Sequence, residues 1–421
     1  MINIRQAAYH SVLRHYKDNK FSNLEIDSAI KKYSIEGPDR SLFTVLVYGT
    51  IERRITLDYY LSACSAKELS SLDTEVLTIL RIGAYQILFL DRVPDHAAVN
   101  EAVECAKKNK PSAKGFVNAV LRKLISVKDT VELPKDRGPY LSVKYSMPEW
   151  IVSMWQQQYS DAEEILKGTD KPPCMTLRTN TLVNTRQELK EKLEDIPCEY
   201  TESSPDGIHI LKGISFEEIE SLCANGAYVQ DEASQMAVRA VDARPCDFVI
   251  DTCSCPGGKT FGMAMCMENK GKILALDLHK SKLSLVTKGA ARLGIDIIET
   301  REHNSKNAIP EYIGKADRVL CDVPCSGLGV VAKKPETRYK NKEDIERLPE
   351  IQYAILQASS AYLKDGGTLV YSTCTLNKRE NEDTVNKFLD NNKGFTLESM
   401  TTYFPKAGKT DGFFVAKLIK V

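Results

Sequence analysis

Apolar and polar positions follow a helical rhythm in the first part of the chain. Up to about residue 128, apolar residues recur every three or four positions, for example around Val12 and Leu46. The stretch from Val76 to Leu88 is apolar nearly all round, which is typical of a helix at the centre of a bundle. Turn signals that contain proline divide the segments at 37–39, 93–95 and 111–112. This pattern predicts five or six helices joined by short loops.

The middle of the chain has a shorter and more mixed pattern. Residues from about 130 to 165 read as a connector with one or two helices, one of them from Trp150 to Tyr159. A small α+β unit is predicted from about Lys171 to Tyr228. Its elements are a strand, a charged helix and a strand, at 175–178, 185–193 and 208–211. A further helix is predicted from Gln230 to about Val241.

From Asp247 onward, short apolar runs alternate with amphipathic segments. The predicted strands lie near 247–251, 272–277, 296–302, 317–322, 367–373 and 413–418. The predicted helices lie near 260–267, 279–293, 344–363 and 379–390. Asn377 and Glu380 are expected to start the last helix in an arrangement like a capping box. Such alternation predicts a mostly parallel sheet with helices on both faces.

Composition indicates the general class of protein but does not show whether the protein binds nucleic acid. Lysine plus arginine equals aspartate plus glutamate, at 57 each, so net charge neither favours nor excludes nucleic acid. The first 20 residues contain no signal-peptide core, and no run approaches the roughly 18 apolar residues of a membrane span. We therefore expect a cytoplasmic protein with no membrane partner. Its 12 cysteines contain no C-x-x-C pair and should be reduced thiols.

One segment of the helical part is strongly basic. Between Lys107 and Lys128 there is no acidic residue, and an apolar run from Phe116 to Leu121 lies among the charges. Such a segment can contact RNA phosphates, or it can be the solvated face of an ordinary helix. Both interpretations stay open on the sequence alone.

Polar groups follow the predicted strands at the edge where open α/β sheets bind ligands. Asp251 begins a turn that reaches Gly257-Gly258-Lys259-Thr260, and a helix is expected after it. The spacing excludes a phosphate-binding P-loop, which requires glycine where Cys253 stands. A glycine turn followed by an acid at the next strand end, Asp277, favours a nucleoside-bearing cofactor whose ribose the acid contacts. Alone, Asp277 could equally cap the following helix.

Cysteines gather at the same predicted strand ends. They are Cys253, Cys255, Cys321, Cys325 and Cys374. Most free cysteines are small buried apolar residues, and zinc binding is a rival interpretation, but the spacings are not those of a zinc site. A thiolate requires a positive neighbour near neutral pH, and Lys259 is the candidate. We predict no metal.

Two thiols beside a nucleoside pocket suit methyl transfer to a pyrimidine carbon. Addition of a thiolate to carbon 6 of cytosine makes carbon 5 nucleophilic enough to take a methyl group from a sulfonium donor. The carbon-5 proton must then leave and the thiolate must be eliminated, which requires a base and could use a second thiol. One cysteine for attack and one for release would account for the pair.

Three motifs in this order resemble those of the RsmB-type (Sun or Fmu) family of ribosomal RNA cytosine-5 methyltransferases. They are the turn Asp251–Thr260, the Pro-Cys motif in Asp322–Gly327 and the Thr-Cys motif in Tyr371–Cys374. The likeness extends over nearly all 421 residues. It implies a multidomain fold, with a NusB-like all-α RNA-binding bundle (1–130), a linker with a small α+β subdomain (131–235) and a Rossmann-like α/β methyltransferase domain (236–421).

The resemblance also implies roles for individual residues. Cys374 would be the nucleophile and Cys325 would assist product release, with Lys259 close to the base and thiolates. S-adenosylmethionine (SAM) would bind along a loop formed by Cys253, Ser254, Cys255, Pro256, Gly257, Gly258 and Lys259. Three further residues would contact it: Asp277 at the ribose, Asn304 near the adenine and Asp322 near the methionine end.

This sequence departs from the family pattern at a few positions. Ser254-Cys255 stands for a usual pair of alanines, and Val323 stands for an alanine. Asn304 replaces an acid, which puts that one contact in question, and Tyr339 stands where tryptophan is common.

We therefore predict a SAM-dependent methyltransferase that modifies cytosine in small-subunit ribosomal RNA, and not DNA. Two alternatives stay open: a transfer RNA cytosine-5 methyltransferase, and a NusB-like RNA-binding protein whose methyltransferase domain is inactive. The joint presence of Lys259, Asp322, Cys325 and Cys374 argues against the second. The sequence predicts neither the target nucleotide nor a protein partner.

Overall fold

The computed structural model describes residues 3–18, 22–211, 214 and 216–421. The chain forms two compact units. The first consists of Met1–Glu163 together with Lys334–Tyr339, and the second consists of Glu164–Lys333 together with Lys340–Val421. Within the described ranges, no helix combines the length and apolar character that a membrane span requires.

The first unit is all helical. Its helices in the described residues are α1 (Ile4–Asp18), α2 (Ser22–Tyr33), α3 (Gly37–Glu52), α4 (Arg54–Cys64), α5 (Thr74–Phe89), α6 (Asp95–Asn109), α7 (Lys114–Val127), α8 (Arg137–Tyr145) and α9 (Glu149–Gln158). The predicted bundle is confirmed, and α5 is buried on nearly all sides. Among the described residues up to 128 there are seven α-helices instead of five or six. A single residue, Arg53, separates α3 from α4, and no proline or glycine marks that break.

The basic segment, residues 107–128, forms the end of α6 and all of α7. Three of its lysines form ion pairs with acids from elsewhere in the bundle or one turn earlier: Lys107 with Glu104, Lys110 with Asp73 and Lys128 with Asp95. Lys108, Lys114, Arg122 and Lys123 have exposed side chains. Part of the charge run is therefore neutralised locally, and the RNA-contacting interpretation stays a prediction for the exposed cations.

The segment 334–339 packs as part of the helical unit. The Arg338 side chain is buried and its guanidinium donates to the carbonyl oxygens of Tyr145 and Ser146, at 3.3 and 3.2 Å. The Tyr339 hydroxyl donates to the Glu52 carbonyl at 2.9 Å, and Arg54 lies 3.7 Å from the centre of its ring. These are the contacts made by the tyrosine that stands where the family usually has tryptophan.

The second unit begins with a small antiparallel sheet after α10 (Ala162–Gly168). Its elements are β1 (Met175–Thr179), α11 (Arg186–Lys192), β2 (Cys198–Tyr200), β3 (Gly207–Ile210), α12 (Phe216–Cys223) and β4 (Ala227–Val229). The strand order is β2-β3-β1-β4. Helix α11 starts with a capping box in which Thr185 and Glu188 satisfy each other's backbone N–H groups. The predicted small α+β subdomain is confirmed.

A seven-stranded mixed sheet forms the rest of the second unit. Its strands are β5 (Phe248–Asp251), β6 (Lys272–Asp277), β7 (Ile298–Glu302), β8 (Ala316–Asp322), β9 (Leu363–Thr373), β10 (Phe395–Tyr403) and β11 (Phe413–Lys420). Its helices are α13 (Glu232–Val241), α14 (Gly258–Cys266), α15 (Lys280–Leu293), α16 (Lys342–Glu346), α17 (Leu348–Ser360) and α18 (Glu382–Asn391). The strand order is β10-β11-β9-β8-β5-β6-β7. The five strands from β9 to β7 in this order are parallel to one another, whereas β11 pairs antiparallel with both β9 and β10.

Successive residues of the central strands point into two different cores. Val249 and Leu320 pack on the face covered by α13, α14 and α15, whereas their neighbours Ile250 and Cys321 pack on the face covered by α17 and α18. This alternation is the expected consequence of the two-residue period of a strand. It confirms the prediction of a sheet with helices on both faces.

Three details of the α/β part differ from the prediction. β10 was not predicted, because most of its residues are exposed and polar and give no apolar run. The single helix expected at 344–363 is two helices, with Pro349 at the start of the second, and β9 already begins at Leu363. The capping box expected at Asn377 and Glu380 is wrong, because α18 begins at Glu382 and Glu380 is a buried loop residue.

The two-sided core predicts which leucines matter for stability. Leu320 is fully buried in β8, and Leu320→Ala should lower the free energy of unfolding by about 2–5 kcal/mol through lost contacts and a cavity. Leu285→Ala removes the same atoms from an exposed position on α15 and should change it by less than about 0.5 kcal/mol. Urea unfolding of both variants followed by circular dichroism measures this. Equal effects would contradict the assignment of the core.

Candidate active site

The turn that follows β5 is hydrogen-bonded to both strands that flank β5 in the sheet, β8 and β6. The Thr252 N–H donates to the Leu320 carbonyl on β8 at 3.0 Å, and the Ser254 N–H donates to the Leu276 carbonyl on β6 at 2.8 Å. Because β6 and β8 lie on opposite sides of β5, this is the point where the strand order of the sheet reverses direction. Open α/β sheets bind ligands outside the strand ends at such a point.

Glycine is required where this turn enters α14. Gly257 has a φ of +113°, and a Cβ there would collide with the ring of Phe261. The positive φ turns the chain into α14, whose first backbone N–H groups have no acceptor within the helix itself. The sequence therefore places glycine where both backbone angle and space exclude other residues.

A cavity of about 210 Å³ lies against this turn. Seven of the predicted cofactor-binding residues line it: Cys253, Ser254, Cys255, Pro256, Gly258, Lys259 and Asp322. Residues that the sequence did not single out for binding also line it, among them Gln230, Asp231 and Asp251. Two buried polar atoms of its lining have no hydrogen-bond partner, Asp251 Oδ1 and Ser254 Oγ. Orphaned polar atoms of this kind suit a cavity that receives a polar ligand.

Three predicted cofactor-binding residues are not in this lining. Gly257 lies inside the turn, between two residues that are. Asp277 Oδ1 accepts a hydrogen bond from the His279 N–H at 2.8 Å in the turn before α15, and the Asp277 carboxylate also contacts the Cys255 thiol. The N-cap of α15 is His279, so Asp277 is not the residue that caps this helix. Asn304 is exposed, and its Oδ1 accepts from the Lys306 N–H at 3.2 Å. Contacts of Asp277 and Asn304 with a cofactor stay predictions.

The two predicted catalytic cysteines lie side by side. Cys325 Sγ and Cys374 Sγ are 3.3 Å apart. They meet because β8 and β9 are parallel neighbours, with Asp322 paired to Ser372, so the loops that follow leave the sheet at the same edge. The Gly329 N–H donates to the Cys374 carbonyl at 3.0 Å and ties the two loops together.

A partly buried ion pair lies near Cys374. Lys259 Nζ is 2.7 Å from Asp322 Oδ2, and the Ser372 hydroxyl donates to Asp322 Oδ1 at 2.7 Å. Burial favours neutral Lys259, but Asp322 and the nearby Cys374 outweigh it and raise the pKa of the ammonium group above its usual value. Lys259 is therefore charged at neutral pH and close enough to Cys374 to stabilise a thiolate.

The other thiols of this edge are held neutral. A hydrogen bond with Cys374, then burial and nearby negative charge, raise the pKa of Cys325 well above its usual value. Burial raises the pKa of Cys255 and Cys321 to about 12, and it also raises the pKa of Cys253. The described residues contain no group of three or more His, Cys, Asp or Glu side chains arranged to hold a metal ion.

A charged cluster at the cavity was missed by the sequence reasoning. Lys333 Nζ lies 2.8 Å from Asp231 and 2.7 Å from Asp411, and Asp231 lines the cavity. Burial raises the pKa of Asp411 to about 7, whereas Lys333 keeps the pKa of Asp231 below its usual value although burial opposes this. The three residues are far apart in the chain and no strand end marks them. Only the folded arrangement brings them together.

Three family descriptions match consecutive parts of the chain. Residues 2–126 match the NusB family, and residues 147–217 match the ferredoxin-like domain of RsmF/B-like methyltransferases. Residues 238–419 match the family described as 16S rRNA methyltransferase RsmB/F. The matches follow the order of the helical bundle, the small antiparallel sheet and the large sheet.

Similar proteins span the whole chain. A probable ribosomal RNA small subunit methyltransferase B from Bacillus subtilis is 35% identical, over 99% of this chain and 98% of the relative. The ribosomal RNA small subunit methyltransferase B of Pseudomonas putida is 30% identical over 92% of each. The crystal structure of PH0851 covers 100% of this chain and 99% of its own, with 26% identity and a TM-score of 0.84. NSun6 from Pyrococcus horikoshii, solved with SFG, shares the fold at 22% identity over 68% of this chain and 98% of its own, with a TM-score of 0.55.

The buried acid at the base of the turn predicts a specific pH dependence. Burial raises the pKa of Asp251 to about 7, against a hydrogen bond from Thr260 that lowers it. Between about pH 4 and 7 the folded state therefore holds a proton that the unfolded state has lost, so this group makes stability fall as pH rises. Asp251→Asn stays neutral, and its stability relative to the wild type should rise across that window, by about 1.4 kcal/mol per pKa unit of difference.

Urea unfolding at several pH values between 4 and 8 measures this difference. The matched control is Asp296→Asn, an exposed position, whose difference from the wild type should stay constant across the same range. A constant difference for Asp251→Asn as well would contradict the raised pKa of the buried acid.

Proposed function

This chain belongs to the ribosomal RNA small subunit methyltransferase B family, and we propose that it methylates carbon 5 of a cytosine in small-subunit ribosomal RNA with SAM as donor. The single observation that carries the proposal is the pair of thiols, with Cys325 Sγ and Cys374 Sγ 3.3 Å apart at the edge of the sheet. Two adjacent thiols near a partly buried ammonium group suit a reaction in which a cysteine adds to a ring carbon and must later leave.

In this proposal Cys374 is the nucleophile. Its thiolate adds to carbon 6 of the cytosine, and the electron pair moves to carbon 5, which takes the methyl group. The Lys259 ammonium stabilises the thiolate before attack. A base then removes the carbon-5 proton, the electron pair restores the ring double bond, and the bond from Cys374 to carbon 6 breaks. Cys325, adjacent to Cys374, assists this release.

The cavity residues fit the cofactor that this family uses. The unpartnered Asp251 Oδ1 and Ser254 Oγ offer hydrogen-bond capacity that a polar ligand would satisfy. Cys253, Ser254, Cys255, Pro256, Gly257, Gly258 and Lys259 would hold SAM, together with Asp277, Asn304 and Asp322. When bound, SAM supplies the electrophilic methyl group. The protein's own part is to orient the base, exclude water and hold Lys259 against Asp322.

The helical bundle is proposed to hold RNA by its phosphates. The exposed cations at the end of α6 and on α7 form a surface that can contact the backbone without reading bases. A cytosine in a helix must leave the stack to reach the thiols, so a loop or single-stranded target is expected. We propose a cytoplasmic enzyme with domains at 1–130, 131–235 and 236–421. The three family matches, at 2–126, 147–217 and 238–419, each fall within one of these ranges.

The cysteine roles are tested by transfer of labelled methyl from SAM to unmodified small-subunit RNA. Wild type should form 5-methylcytosine. Cys374→Ala should lose at least about a thousandfold of the rate, because the covalent addition is lost. Cys325→Ala should accumulate a protein–RNA adduct that survives denaturing electrophoresis, because release is slowed. Cys198→Ala, in the small sheet, is the matched control and should behave as wild type.

Other outcomes separate the alternatives. An adduct with Cys374→Ala instead of Cys325→Ala would reverse the two roles. Activity on transfer RNA alone would keep the chemistry and change the substrate. No transfer to either RNA by the wild type would favour the inactive binding protein.

The basic segment is tested by the salt dependence of RNA binding. Substituting Lys108, Lys114 and Lys123 together by glutamine should weaken binding and lower the slope of log K against log salt by up to about 2–3, because phosphate contacts are lost. The matched control changes the same charge on α15, at the exposed Lys280, Lys282 and Lys288. A larger effect of the control would place the RNA surface elsewhere.

A further inference from the structure

We infer that Glu380 is a positioning residue for both active-site cysteines, which it aligns by holding the loops that follow β8 and β9. This inference rests on the proposed function, because it assumes that both thiols take part in the reaction. Glu380 lies in the loop before α18 and its side chain is 0% exposed. It does not contact the reacting atoms itself.

The Glu380 carboxylate holds the residue after Cys325 at two points. The Ser326 N–H donates to Oε2 at 2.8 Å and the Ser326 hydroxyl donates to Oε1 at 2.6 Å. Gln352 on α17 adds a second link, since its Nε2 donates to Glu380 Oε2 at 2.9 Å and to the Pro324 carbonyl at 3.0 Å. Cys325 is therefore fixed on both sides through one carboxylate.

The same loop holds the residues on either side of Cys374. The Ser326 hydroxyl, bound to Glu380, also lies 2.6 Å from Thr375 Oγ1. The next residue, Asn381, accepts from the Thr373 hydroxyl at 2.6 Å and donates to the Thr375 carbonyl at 3.0 Å. Glu380 and Asn381 together therefore connect the loop of Cys325 with the loop of Cys374. A side chain that contacts only one of these loops could not align the two thiols with each other.

The partners of the carboxylate are neutral groups. Its described hydrogen bonds come from Ser326, Gln352 and Asn377, the last at 3.0 Å, and none of these carries a charge. A buried carboxylate without a cation costs free energy that its hydrogen bonds offset only in part. Each carboxylate oxygen accepts two of these hydrogen bonds, so a glutamine in the same place would turn its NH2 group toward donors and leave them unsatisfied.

The charge acts on the thiol of Cys325. A hydrogen bond with Cys374 and burial raise the pKa of Cys325, and the negative charges of Cys374 and Glu380 raise it further. Other ionisable groups at this edge include Tyr371 on β9 and Lys340, which donates to the Ser326 carbonyl at 2.7 Å. The Lys259–Asp322 pair, Asp251 and the thiols of Cys253, Cys255 and Cys321 lie there as well. Glu380 therefore helps to keep Cys325 protonated while Lys259 favours ionisation of Cys374, which gives the two thiols different roles.

The test compares Glu380→Ala and Glu380→Gln with the wild type in the methyl-transfer assay. If Glu380 positions the cysteines, Glu380→Ala lowers kcat about 10- to 100-fold and changes KM for RNA by less than about threefold. It also accumulates the protein–RNA adduct expected of Cys325→Ala. Glu380→Gln keeps the shape but loses the charge and turns an NH2 group toward donors, so it should restore only part of the turnover. Glu343→Gln, an exposed acid on α16, is the matched control.

A second measurement isolates the charge and does not depend on catalysis. In a Cys374→Ala background, alkylation of Cys325 by iodoacetamide is followed against pH by mass spectrometry. Glu380→Gln should move the midpoint down by about one pH unit, because a like charge is removed. This arm stays informative if Glu380→Ala does not fold.

The outcomes separate this inference from the proposed function. Wild-type turnover by Glu380→Ala, or an unchanged alkylation midpoint in Glu380→Gln, would overturn the role of Glu380. If the wild type transfers no methyl group and Cys325→Ala traps nothing, the proposed function fails. The alkylation arm would then still decide whether Glu380 controls the Cys325 thiol.

Discussion

The parallel pairing of β8 with β9 is the constraint on which the candidate site depends. Asp322 pairs with Ser372, so one register determines the Ser372–Asp322 hydrogen bond, the position of Lys259 and the meeting of Cys325 with Cys374. A shift by one residue would turn every side chain of a strand to the opposite face. The two buried cores make such a shift costly, because each strand contributes alternate residues to both.

The charged groups at this edge of the sheet are better explained by a role in the reaction than by a contribution to the stability of the fold. Ion pairs that are largely removed from solvent, such as Lys259–Asp322, seldom stabilise a fold more than apolar residues would. The same cost applies to the cluster of Asp231, Lys333 and Asp411. It also applies to the buried carboxyl group of Asp251, whose pKa is raised to about 7 by burial. Asp251 and Asp322 lie at the ends of β5 and β8, where apolar packing is not continuous, and the apolar interior of the sheet offsets the cost.

The sequence predicts the large features of this protein because they depend on local patterns. Apolar runs bounded by polar residues locate six of the seven strands of the large sheet, and strand ends locate Lys259, Asp322, Cys325 and Cys374. What it misses depends on tertiary contact. β10 is an exposed edge strand without an apolar run, and Glu380 resembles a cap because its spacing from Asn377 is right. Lys333 and Asp411 meet only through the folded chain.

The segment 334–339 changes how the two units are connected. The polypeptide passes from one unit to the other after Glu163, after Lys333 and after Tyr339, so three covalent links join them instead of one. A protease cut at residue 163 would therefore not release either unit. A truncation there would also leave the carbonyls of Tyr145 and Ser146 without the guanidinium of Arg338. The helical bundle and the methyltransferase part each form a compact unit, but each unit contains residues from more than one stretch of the chain. No single cut in the chain therefore yields both units as complete fragments.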